Sequence, residues 1–428
     1  MLPVTQTQIE EYNSDSVHKT LRLVFPDLLV TVPNTLIDGN SLELTETLFK
    51  GKHVEFVGCI SSEFKINVIN QYESFKNTPI EVYIKTDDTA EIPLFKGYVY
   101  SAKVKRANGK RTTEIVAYDA LYTLGQKDVA EWYQNLTFPI TLKNLRDSLF
   151  TYLEFTQETA TLPNDNLVIQ KQYDPTILKC LDVLKALCQI NGCFGMINRS
   201  GNFEYRFIQQ PQQGFDPIQN IFTYAKAVSC EDFYVKSFER VQIRDSEKDV
   251  GITVGEGSKW SNKYIIQANM FCYKLTDSQK TSVATNIYNV IKNIAFYPCS
   301  TDNNGLPFIE VGDRVKYSLA SSHSDLPYTE FLCAERTLSG VQALRDKYKA
   351  DGEEEASEYV TDLQTQIDTI KQSGGGGDME DYYTKEEADE RTEEIIEEKG
   401  QQFVSCSSLP YPVEENTVYL IQGDITIM

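Results

Sequence analysis

An α+β chain dominated by β-structure is what this sequence predicts. Two barrel-like antiparallel β-domains bracket an α+β insert, and a short coiled-coil stalk and an acidic helix follow. Three observations lead there. Short segments of alternating apolar and polar residues recur through residues 20–122 and again through 233–340. Between them, residues 123–215 switch to helical spacing. Beyond residue 350 the composition turns acidic and a heptad pattern begins. The expected domains are therefore 1–122, 123–215 and 216–350, with a heptad helix at 351–373, a glycine linker at 374–377, and an acidic helix with a small β-segment at 378–428.

The first domain opens with a polar arm. LRLVF (21–25) and LLVTV (28–32) then flank a Pro26-Asp27 turn. HVEFVGCI (53–60) reads as a strand, SSEFKINVIN (61–70) places Phe64, Ile66 and Val68 on one face, and IEVYIK (80–85) repeats that alternation. GYVYSAKVKR (97–106) and KRTTEIVAYD (110–119) are joined through Asn108-Gly109, a hairpin signal because both residues accept positive φ. So many short strands suggest a small antiparallel barrel or sandwich.

In the insert, Thr141 caps a helix lined by Leu142, Leu145, Leu149 and Leu153. Asp174 and Pro175 sit at N-cap and N1 of a second helix, whose buried stripe is Ile177, Leu181, Leu184 and Cys188 and which ends at Gly192. A hairpin follows, FGMIN (194–198) and FEYRFI (203–208), turning at Arg199-Ser200-Gly201. The polar run 209–220, with two prolines, is a linker. Strands return at 233–245, 249–255 and 263–271. Thr276 and Gln279 form a capping box ahead of Val283, Ile287, Ile291 and Ile294, and segments 309–318 and 329–340 close the domain as strands.

The stalk rests on Ala356, Val360, Leu363, Ile367 and Ile370, which recur at steps of four and three. Val360, Leu363, Ile367 and Ile370 are the candidate oligomerisation residues. Gly374-Gly375-Gly376-Gly377 releases the chain, and Thr384 with Glu387 makes a second capping box. Leu at d permits a dimer, whereas Ile at both core positions favours three strands or more.

Composition narrows the function. The formal charge is −21, and residues 351–400 hold 18 acidic against 4 basic residues, so they contribute −14 of it. That balance argues against nucleic-acid binding as the main activity, which needs a basic footprint. No apolar run is long enough to span a bilayer, and MLPVTQTQIEEYNSD lacks the features of a signal peptide, so folding in a reducing cytosol is expected. Nine cysteines without a CxxC pair then read as free thiols.

Catalytic motifs are missing from the sequence. The chain has three histidines and no HExxH, GxSxG, GxxxxGK[ST] or GxGxxG pattern, and neither a cofactor nor a metal is expected. His53 and Cys59 would share one face of a strand, but about 20 Å apart at ~3.3 Å per residue, too far for a dyad. Glu310 and Asp313 around Gly312 read as a turn. The one basic cluster is Lys103, Lys105, Arg106, Lys110 and Arg111, on a hairpin that is either simply exposed, in contact with an acidic neighbouring subunit, or touching nucleic acid.

Several stretches resemble the bacteriophage tail hub group, which includes baseplate hub, tail-tip and prophage endopeptidase tail proteins. They are GCISSEFKINVIN (58–70), FKGYVYSAKVKRANGKRTTEIVAYDALYTLGQKDV (95–129), FIEVGDRVKYS (308–318) and LSGVQALRDKYKADG (338–352). YYTKEEADERTEEIIEEKG (382–400) resembles a helix of tail fibres and tail-tip extensions. The resemblance implies a homotrimer with two tube-like β-barrels per chain, set in a virion tail assembled in the bacterial cytoplasm. Its implied partners are the tail tube or distal tail protein on one side and a tip, spike or receptor-binding fibre protein on the other. The implied role is structural, with no membrane insertion and no specific nucleic-acid binding. An enzymatic alternative is a tail-associated peptidoglycan hydrolase with its site in the insert, and a third reading is the hub of a phage-derived contractile injection particle. The last piece, FVSCSSLPYPVEENTVYLIQGDITIM, is expected to be too short for a hydrolase.

Overall fold

The computed structural model describes residues 1–353 except 15, 52, 53, 55, 72, 108, 173, 211–214, 219–226, 247, 248, 257–261 and 318–329, together with the strand segments 358–360, 402–406 and 417–421. The chain divides into two compact units, Met1–Ser373 and Gly374–Met428.

The first unit begins with a helix, Gln6–Asn13, where the sequence reading has only an arm. Thr5 and Gln8 cap it reciprocally, the same capping-box chemistry read correctly at Thr276 and Gln279. Seven strands follow: β1 (Lys19–Phe25), β2 (Val30–Val32), β3 (Ile37–Thr47), β4 (Glu63–Ile69), β5 (Pro79–Thr86), β6 (Ile92–Ala107) and β7 (Lys110–Tyr118). In β4, β5 and β7 buried and half-buried residues alternate as the sequence pattern requires.

The insert holds β8 (Ile140–Thr141), the helix Leu142–Tyr152, β9 (Val168–Ile169), the helix Cys180–Gln189, and the hairpin of β10 (Phe194–Ile197) and β11 (Phe203–Arg206). Thr141 caps the first helix as expected. The second begins at Cys180 rather than after Asp174, and Ile177 is 60% exposed instead of buried. Residues 178–180 are held in extended form by 127–129, through Val129 N to Leu178 O at 2.7 Å and Cys180 N to Lys127 O at 2.9 Å. Those tertiary bonds outweigh the local Asp-Pro start signal.

Beyond the insert lie β12 (Phe215–Ile218), β13 (Ala227–Cys230), β14 (Arg240–Arg244), β15 (Ile252–Gly255), β16 (Lys263–Gln267) and the helix Asp277–Ile291. Then come β17 (Cys299–Asn304), β18 (Arg314–Tyr317), β19 (Glu330–Leu332), β20 (Glu335–Ser339), β21 (Arg345–Ala350) and β22 (Glu358–Val360).

The two β-regions share one sheet. Its eleven strands run β13-β17-β21-β20-β3-β4-β7-β6-β5-β1-β2, and among the described residues it does not close into a barrel. The seam is β3 against β20, antiparallel from Glu43↔Ser339 to Thr47↔Glu335. Strand β3 carries no strand signal in the sequence because Asp38-Gly39-Asn40-Ser41 has turn chemistry; in the sheet it is the stretch where the register to β4 shifts, a bulge. The predicted boundaries at 122/123 and 215/216 fall within one apolar cluster that extends from Tyr12 to Ala350.

The described residues of the 53–60 segment, 54 and 56–60, do not form the expected strand. Cys59 makes an isolated bridge to Gly195, while Val54, Phe56, Val57 and Cys59 are all buried. Phe56 meets Phe194 of the insert at 5.2 Å and Tyr264 of the later β-region at 5.2 Å, edge on. A segment buried on every side has no solvent face to alternate with, so it packs as a wedge.

Among the described residues four smaller sheets complete the first unit's later half and insert: β15-β14-β16-β22, β12-β18-β19, and the β10-β11 and β8-β9 pairs. Val360 ends β22 opposite Ile265, in parallel pairing with β16. This corrects the heptad reading at 358–360: Tyr359 and Val360 are good strand formers, and the edge of β16 gives their backbone a partner. Leu363, Ile367 and Ile370 lie outside the described residues. The second unit contains a parallel pair, β23 (Gln402–Cys406) and β24 (Thr417–Ile421).

Candidate functional site

Three buried polar clusters hold the first unit together. In the first, Arg336 on β20 donates from Nε to Asp346 at 2.9 Å, from Nη1 to Glu46 at 3.1 Å and from Nη2 to the Leu306 carbonyl at 2.8 Å. Glu46 also accepts from Arg199 Nη2 at 2.7 Å, in the β10–β11 turn. One carboxylate on β3 thus gathers the insert and the later β-region. Burial opposes the charge on Arg336, but Asp346 and Glu46 more than offset it and keep it protonated.

The second cluster pairs Arg206 of β11 with Glu310 at 2.9 Å and with the Val311 carbonyl at 3.0 Å. Glu310 N donates to Asp313 Oδ2 at 2.9 Å, and Gly312 takes φ +92°, so the expected Glu310–Asp313 turn is present. Burial would raise the Glu310 carboxyl, but Arg206 and the amino terminus overcome this and hold it down at about 2. A carboxylate so firmly ionised is a latch, not a general acid. In the third cluster Arg146 is gripped within the insert by Asp165 at 2.9 Å and the Ala160 carbonyl at 2.7 Å.

The thiols are equally committed. The eight described cysteines are free, and all but Cys230 are buried. Cys59 Sγ lies 3.8 Å from Cys188 Sγ, and this contact, with burial, pushes the Cys59 thiol up. Burial, helped by the neighbouring Cys59, brings Cys180 to about 12. Such thiols carry little thiolate and are poor nucleophiles. His53 and His323 lie outside the described residues, and His18 is exposed against Asp87 at 3.1 Å. Among the described residues no three His, Cys, Asp or Glu converge on a metal-sized site.

Two clefts flank the helix Asp277–Ile291. One of about 410 Å³ is lined by Asn164, Asn166, Gln279, Ser282 and Asn286 among others. The other, about 570 Å³, is lined by Gln209, Gln210, Asn289 and Asn293 beside Arg206 and Asp313. Among the described residues neither sets a nucleophile beside a base, and Arg206 is already engaged by Glu310.

What the surface offers is contact area. Strands β6 and β7 form a long hairpin in which Tyr100 sits at a bulge, 53% exposed, against Tyr118 and Tyr122 at 5.6 Å each. The basic cluster lies toward its tip. Leu29 at the other margin of the sheet is 95% exposed with φ +53°, unusual for a bulky apolar residue. Cross-strand ion pairs cover the sheet's solvent face, including Lys65–Glu43 at 3.0 Å and Lys96–Glu81 at 2.9 Å.

No family model and no curated protein matches the chain in sequence. Solved structures do match in fold. The prophage MuSo2 43 kDa tail protein from Shewanella oneidensis superposes with a TM-score of 0.50 at 12% identity, over 78% of this chain and 98% of that one. The tail protein from Neisseria meningitidis MC58 gives 0.48 at 9% identity, over 78% and 97%. Prophage tail protein gp18 from Listeria monocytogenes EGD-e gives 0.47 at 12%, over 83% and 98%. By its fold, this chain is similar to a prophage tail protein.

Proposed function

We propose that the chain is a structural hub at the tip or baseplate of a phage or prophage tail. In this reading three copies form a ring, each contributing two tube-like β-units, one built around β1–β7 and one around β13, β17, β20 and β21. The ring seats a hexameric tail tube or distal tail protein on one face and hands over to a tip, spike or receptor-binding fibre protein on the other. The virion tail is its final location. The observation that carries the reading is the match over 78% of this chain and 98% of the MuSo2 tail protein.

The interior supports it. Arginines, carboxylates and thiols are engaged in buried Glu46–Arg336–Asp346, Arg206–Glu310 and Cys59–Cys188 contacts that rigidify the body. A part that transmits load between tube and tip needs that rigidity. Leu363, Ile367 and Ile370 remain the proposed clasp of the three chains, starting after Val360. Cryo-electron microscopy of native tails tests the proposal: density for this chain in three copies at the tube's end is expected, and its absence from the tail would refute it. Zymography of the purified chain on cell walls is expected to stay blank; a lysis band would favour the hydrolase instead.

A further inference from the structure

The hub reading leaves the basic hairpin without a role. Strand β5 follows β6 only as far as Pro79↔Tyr98, whereas β7 accompanies it to Ala107↔Lys110. After Val99, which still bonds Asn77 and Thr78, the outer edge of β6 has no strand neighbour among the described residues. Lys103, Val104, Lys105 and Arg106 are exposed on this arm. Lys105 meets Glu114 at 2.7 Å, while Lys103, Arg106 and Lys110 make no ion pair among the described residues. Tyr100, held by Tyr118 and Tyr122, and Val104, 48% exposed, add apolar surface to the charge.

The opposite end of β6 carries the opposite sign. The β5–β6 turn presents Asp87, Asp88 and Glu91, and the helix Gln6–Asn13 adds Glu10 and Glu11. Helix and turn are fastened together: Gln8 Nε2 donates to the Ala90 carbonyl at 3.3 Å, and Thr86 Oγ1 donates to Glu11. Arg22 takes up Glu91 at 2.6 Å, His18 faces Asp87, and Lys85 stands exposed nearby, while Glu10 and Asp88 make no ion pair among the described residues. From Ile92 to Ala107 the strand is about 50 Å long at ~3.3 Å per residue. The two charged ends of a single copy cannot meet. Two copies placed head to tail bring them together, which is the heterologous contact a closed ring requires.

We propose that the basic β6–β7 hairpin of one copy docks on the acidic β5–β6 turn and N-terminal helix of a second copy. This rests on the ring reading above and names the contact that orders it. Charge complementarity sets the register and steers the encounter, and Tyr100 with Val104 supplies the apolar part of the contact.

Zero-length carbodiimide cross-linking of assembled tails, followed by peptide mapping, tests this directly. Lysine-to-carboxylate links between Lys103 or Lys110 and Glu10, Asp87 or Asp88 are expected. Because the span within one copy excludes them, each such link reports two chains. In the purified full chain, Lys103→Glu with Lys110→Glu should weaken low-salt self-association at least tenfold, and Asp87→Lys with Asp88→Lys should restore it. Tails that contain three copies but lack these links would overturn the docking and leave the ring standing. Tails with another copy number would bring down the ring reading itself. Hairpin-dependent retention of duplex DNA, without the links, would assign the hairpin to nucleic acid and also overturn the proposal.

Discussion

Arg336 Nη1 lies 3.1 Å from Glu46 Oε2, a buried bond between residues 290 positions apart. It sits on the β3–β20 seam, so the two β-regions are joined by sheet hydrogen bonds and by charge at the same place. Replacing Arg336 with Met would strand Asp346 and Glu46 as buried carboxylates short of a partner. A loss of about 3–5 kcal/mol is expected in urea unfolding. Arg22→Met, at an exposed pair, should cost about 0–1 kcal/mol. Equal costs at the two sites would contradict the latch.

Asp119 gives a pH dependence with a definite sign. It caps the helix Ala120–Leu124 and accepts from Ser61 Oγ, Ser62 N and Leu121 N, yet burial raises its carboxyl to about 6. A folded value above the unfolded one means that its contribution is fully present below about 3.8 and is lost as pH rises through about 6. Stability should therefore fall by on the order of 2–3 kcal/mol across that window relative to Asp119→Asn. Glu310, held at about 2, acts in the reverse sense: its contribution is present above about 4.5 and lost as pH drops toward about 2. Parallel pH–stability curves for wild type and Asp119→Asn would defeat the first claim.

Gly58 has no room for a side chain. A Cβ there would strike the Leu48 carbonyl oxygen and the Phe194 ring, and the first is backbone. Gly58→Ala should lower stability by roughly 1–3 kcal/mol or more, read as a drop in Tm. Gly109→Ala, at the hairpin tip with open space around it but φ +75°, should cost about 1 kcal/mol.

All nine cysteines should titrate as thiols under denaturing, non-reducing conditions. In the native protein, peptide mapping should find Cys230 labelled well before the seven buried ones. Recovering seven or fewer thiols after denaturation would mean a disulfide.

Replacing Ile367 and Ile370 with Asp should splay the C-terminal segments of the assembled hub without unfolding the body. Unchanged particles by negative-stain microscopy would remove these residues from the assembly.

Much of the fold was legible in the chain. Alternation marked β1, β4, β5 and β7, Asn108-Gly109 marked their longest hairpin, and Thr141 and Thr276 marked two helix starts. Each of these signals is local, written by residues that end up as neighbours along the same element. Candidate surface residues were half legible: the basic hairpin stood out by charge, but its acidic counterpart is split between residues 10–11 and 87–91, which only folding brings side by side.

What the sequence determined by itself was the alternating strands β1, β4, β5 and β7, the capped starts of two helices and the Asn-Gly hairpin. Tertiary structure decided how those elements were joined. Strand β3 looks like a turn until β4 and β20 pair with it on either side. Residues 53–60 look like a strand until Phe194 and Tyr264 close over Phe56. Val360 looks like a heptad position until β16 offers it an edge. In each case a partner far along the chain satisfies backbone or buries side chains more completely than the local preference could, and no local pattern records that partner.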